Sequence, residues 1–153
     1  PSIEEVPCKI EEFIKTATPE ASEVLILSYA NGFYFSRQAQ KILLDKHQVK
    51  SQVIDLRWIA PLNKDRLFAV AKKFKNILIV DECRSTGSQS EALVSLIVEG
   101  HAKEASAQQL FPRIEVLAAH DCFITLGVAA AAGLPSKEDI INTCLKMVKK
   151  AGL

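Results

Sequence analysis

Short apolar runs and amphipathic stretches alternate along this chain. Val24-Leu25-Ile26-Leu27-Ser28-Tyr29 is a continuous apolar run of the kind that forms a strand buried on both faces, and Asn31-Gly32 supplies turn residues behind it. A helical stretch follows, with Phe35, Ala39, Ile42 and Leu43 on one face. Val49 to Leu56 holds a second strand centred on Val53-Ile54, and Pro61 closes the loop behind it. Asn63 is placed to cap a helix in which Leu67, Phe68, Val70, Ala71 and Phe74 recur at helical spacing. Ile77 to Val80 reads as the third strand. Ser88-x-x-Glu91 reads as a capping box for a helix that turns Ala92, Leu93, Leu96 and Ile97 inward. Ile114 to Ala118 is the fourth strand. Ser136-x-x-Asp139 opens a last helix, with Ile140, Ile141, Cys144, Leu145 and Val148 apolar. Lys146, Lys149 and Lys150 stand where the helix dipole favours positive charge.

Continuous apolar strands separated by helices predict a parallel sheet covered on both faces. Residues 1–20 hold either an extra strand near Val6 to Ile14 or a short helix, and residues 101–112 read as a surface connection with some helix. There is no internal repeat and no interdomain linker, so residues 1–153 are expected to form one domain. That length allows burial of about 70% of the unfolded surface.

Composition narrows the function classes. Nineteen basic and eighteen acidic residues leave a net charge of +1, which offers no field for nucleic acid. No apolar run reaches the ~18–20 residues of a membrane span, and the polar, acidic start is unlike a signal peptide. The chain begins with Pro1, and we read it as a piece of a longer protein. Its four cysteines (Cys8, Cys83, Cys122, Cys144) are far apart and form no C-x-x-C pair, so free thiols in a cytoplasmic protein are expected.

Most chemical motifs fail. The first strand-to-helix turn, Ser28 to Phe33, has one glycine followed by a bulky aromatic, where a dinucleotide site needs G-x-G-x-x-G. There is no P-loop, and Gly87-Ser88-Gln89-Ser90-Glu91 lacks the final glycine of a nucleophile elbow, so Ser88 is read as a cap. His120-Asp121-Cys122 cannot act as a triad among themselves, because neighbours in extended chain point apart. Cys83, His120 and Cys122 make at most three of the four ligands of a closed zinc site, with an acid needed to help. Asp81 and Glu82 are read as acids that tie neighbouring loops, and His47 and His101 as solvated. One generic site remains. If the Val24 strand is central, the loops after it and after Val80 flank the crevice where the winding reverses, with Ser28, Asn31, Glu82, Arg84, Ser85 and Thr86 as candidate polar contacts.

Specific strings carry a resemblance. Val24 to Tyr29 followed by a helix, then Val53-Ile54-Asp55-Leu56-Arg57-Trp58-Ile59-Ala60-Pro61-Leu62, is similar to the C-terminal domain shared by transketolases and the beta part of thiamine-diphosphate-dependent 2-oxo acid dehydrogenases. Ile79-Val80-Asp81-Glu82 with Thr86-Gly87, the last strand with Asp121 behind it, and Leu134-Pro135-Ser136 continue the order to the chain end. The ten-residue block is the specific part, and its Asp55 to Leu62 stretch is closest to pyruvate and branched-chain dehydrogenases. Ser88, where the family often has a second glycine, and Cys122 to Gly127, where many dehydrogenases have prolines, depart from that pattern.

The resemblance implies a three-layer α/β/α fold with a five-stranded mixed sheet, the first strand antiparallel and supplied from before Thr16. It implies a parent that binds thiamine diphosphate and magnesium in other domains; this chain has no G-D-G motif and is expected to hold neither, nor any catalytic residue. The expected role is assembly. The domain would pack on other domains or subunits and help dock the acyltransferase core, with Asp121 joining the six switch-point residues as a contact. The equivalent domain of a transketolase or deoxyxylulose-phosphate synthase, and an independent α/β ligand-binding module, are the competing readings.

Overall fold

In the computed structural model of the chain, residues 22–104, 111–123 and 126–149 are described. The elements run β1 (Val24–Ser28), α1 (Ala30–His47), β2 (Ser51–Asp55), α2 (Lys64–Ala71), β3 (Asn76–Arg84), α3 (Gln89–Glu104), β4 (Arg113–Ala119), a short 3-10 helix (Gly127–Ala132) and α4 (Lys137–Lys149). The strands form a sheet in the order β2-β1-β3-β4, parallel throughout. The winding reverses between β1 and β3, as the centrality of the Val24 strand requires. The antiparallel edge strand expected before Thr16 lies outside the described residues.

Each strand sends alternate side chains to opposite layers, the period-2 rule acting on a sheet with two covered faces. Leu25, Leu27, Ile54, Leu56, Ile77 and Ile79 face α2 and α3, meeting Leu67, Val70, Leu93 and Ile97. Val24, Ile26, Val53, Leu78 and Val80 face α1 and α4, meeting Ala39, Leu43, Ile140, Cys144 and Met147. Burial pushes the Cys144 thiol up to about 12, so it remains an inert apolar filler.

Local chemistry sets the element ends. Asn63 Oδ1 accepts from Arg66 N at 3.3 Å and caps α2. Ser136 and Asp139 close a reciprocal box on α4: Asp139 Oδ2 accepts from Ser136 N at 3.0 Å and Ser136 Oγ accepts from Asp139 N at 3.1 Å.

Three expectations need correction. Asn31-Gly32 is not a turn but the first turn of α1. Gly32 is there because a Cβ would come within 2.5 Å of Ser28 Oγ, so α1 can lie close over β1 and β3 only at a residue without one. The Ser88 capping box is built differently: Glu91 Oε2 reaches Gly87 N at 2.9 Å, the Ser88 hydroxyl meets that of Ser90 at 2.7 Å, and Asp81 Oδ2 accepts from Ser90 N at 3.0 Å. His101 is not solvated; it is 4% exposed, edge-on to Phe68 with ring centroids 5.3 Å apart and beside Phe111 at 5.7 Å. It continues the inward stripe of Leu93 and Ile97 at steps of four, which outweighs its polar neighbours in sequence. Of the expected connection at 101–112, residues 101–104 belong to α3, and 105–110 lie outside the described residues.

Candidate functional site

The carboxyl ends of β1, β3 and β4 bring the candidate residues together. Tyr29, directly after β1, remains extended, and Ala30 behind it adopts a left-handed backbone (φ 48°). Tyr29 Oη donates to Asp81 Oδ1 at 2.5 Å, across the point where the winding reverses. Asp81 also accepts from Cys83 N at 2.8 Å and, through its other oxygen, from Ser90 N, so one buried carboxylate ties β1, the end of β3 and the start of α3. Burial alone would raise the Asp81 carboxyl, but the hydrogen bonds it accepts, with Tyr29 foremost, hold it below the usual carboxylate range. The same link acts oppositely on Tyr29: burial, then the proton it donates to Asp81, push the phenol well above its ordinary range.

The remaining candidates surround this link. Ser28 is wholly buried and donates to Val80 O at 2.9 Å, so nothing outside this fold reaches it. Asn31 clamps Glu82 twice, from its backbone amide and its side-chain amide, each at 3.1 Å. Beyond Asp81 the pairing of β3 with β4 shifts register up to Arg84, and the segment from Cys83 to Gly87 stands exposed. Arg84 Nε donates to Thr86 O at 2.9 Å. Thr86 binds Asp121 doubly, its amide to Oδ1 at 3.0 Å and its hydroxyl to Oδ2 at 2.5 Å. Those bonds, with others from Ser85, hold the Asp121 carboxyl below its ordinary range. Gly87 turns the chain into α3 at φ 71°, a conformation that favours glycine.

Two features were missed from the sequence. Tyr29 plugs the reversal point; its signal was an aromatic with a polar tip directly after a central strand. After β4, in the segment that follows Asp121 in the chain, Phe123, Leu126 and Val128 are 99%, 95% and 94% exposed. Their run after the last strand could have been read as an apolar surface, since exposed apolar clusters mark contact sites.

Thiamine diphosphate with magnesium does not fit these residues. Asp81, Glu82 and Asp121 spend their oxygens on backbone amides, hydroxyls and an amide side chain. Among the described residues no group of three or more His, Cys, Asp or Glu could hold a metal ion. Among the described residues Cys83, Cys122 and Cys144 form no disulfide, Cys8 lying outside them, and no helix is long and apolar enough to cross a membrane.

A parallel sheet covered by helices on both faces, with its winding reversed between β1 and β3, places the chain in the doubly wound α/β class. More narrowly, the chain belongs to the transketolase C-terminal domain family, whose model matches residues 16–132. Among curated relatives it is 34% identical over 80 residues to the pyruvate dehydrogenase E1 component subunit beta of Chlorokybus atmophyticus, covering 52% of this chain and 24% of that one. It is 24% identical over 130 residues to the same subunit of Bacillus subtilis, covering 85% and 38%. The 1-deoxy-D-xylulose-5-phosphate synthase of Lawsonia intracellularis is 29% identical over 80 residues, covering 52% and 13%. A solved structure described as a split gene transketolase, inactive beta4 tetramer, shares the fold at a TM-score of 0.64 and 15% identity, covering 84% of this chain and 40% of that one. The chain thus spans well under half the length of each of these relatives.

Proposed function

We propose that this chain is the C-terminal assembly domain of a thiamine-diphosphate-dependent 2-oxo acid dehydrogenase, and that it packs against the domains or subunits that hold the cofactor. One observation carries the reading. At the carboxyl end of the sheet the acids are consumed by internal bonds, while Phe123, Leu126 and Val128, in the segment that follows Asp121 in the chain, stand almost bare. Such a surface has little to offer a small ligand. Bare apolar side chains and polar groups together are what a protein interface uses. Asn31, Glu82, Arg84, Ser85, Thr86 and Asp121 supply the polar part. Contact with the acyltransferase core belongs to the same proposal, as does a cytoplasmic location, which rests on the unpaired thiols.

The 2-oxo acid reading is supported by similarity to pyruvate dehydrogenase beta subunits and to the beta subunit of a 2-oxoisovalerate dehydrogenase of Bacillus subtilis, 29% identical over 80 residues. The same domain in a deoxyxylulose-phosphate synthase is the second reading, favoured by the Lawsonia match. An independent ligand-binding module is disfavoured by Tyr29 filling the crevice. Titration calorimetry of residues 1–153 with thiamine diphosphate and magnesium tests the division of labour. No heat of binding is expected. Magnesium-dependent micromolar binding would overturn the proposal.

A further inference from the structure

We draw no further inference here: the strongest candidate, the open groove between β4 and α3 floored by Val94, Val98, Val116 and Ala118, is an uncovered apolar surface, and nothing in the structure shows what covers it.

Discussion

Asp81 and Tyr29 form one titrating unit, and its two halves give stability opposite dependences on pH. The folded carboxyl lies below its ordinary value, so its contribution is complete above about pH 4 and is lost as pH falls through the folded value. The folded phenol lies above its ordinary value, so its contribution is complete below about pH 10 and is lost as pH rises through the folded value. Asp81→Asn is expected to cost about 1–3 kcal/mol at neutral pH, since it converts charge-assisted bonds to neutral ones, and to flatten the acid limb. Tyr29→Phe is expected to flatten the alkaline limb. Urea denaturation across pH measures both, and an unchanged limb in the matching variant contradicts the assignment. His101 differs in kind. Its two ring nitrogens are buried without a hydrogen-bond partner among the described residues. His101→Leu removes both orphans at similar volume, so a gain of about 1 kcal/mol is expected in the same denaturation experiment. A loss would mean that the aromatic contacts with Phe68 and Phe111 outweigh the unpaired polar atoms.

At the scale of elements, α1 sits where it does because Gly32 lets it. The added methyl of Gly32→Ala would press on Ser28 Oγ, which is itself tied to Val80 O. A cost of about 1–3 kcal/mol is expected. Adding Ser28→Ala removes the obstructing oxygen and should recover part of the loss, while strictly additive losses in the double variant would show that the helix is held off by something else. The same contact shows what the sequence could and could not reveal. The strands and most of the helices were legible because their apolar spacing reports directly on two covered faces. Gly32 looked like a turn because its reason is a close approach from another element. The cap of α3 was half visible: Glu91 was recognisable, but Asp81 caps the helix from nine residues before Ser90, a distance no local motif spans. The candidate residues were read from the sequence as lying at one end of the sheet, but the Thr86–Asp121 and Asn31–Glu82 pairings depend on strand order.

Taken whole, the molecule has a sealed interior, a polar crest closed by its own bonds, and apolar side chains left bare in the segment that follows Asp121 in the chain. The family match and the closed crevice both favour a domain that works by contact. The most direct test is subunit dissociation of the parent enzyme carrying Leu126→Asp, with Arg84→Ala measured alongside. Leu126 is 95% exposed, so the aspartate should leave the domain's own melting unchanged. If that surface is desolvated against another domain, burying the new charge should weaken association by about 2–5 kcal/mol, and loss of the Arg84 guanidinium should act in the same direction. Thiamine diphosphate binding by the cofactor-holding part should survive both changes. Wild-type dissociation in both variants would contradict the account, because it would leave the bare apolar surface as ordinary solvent-facing chain.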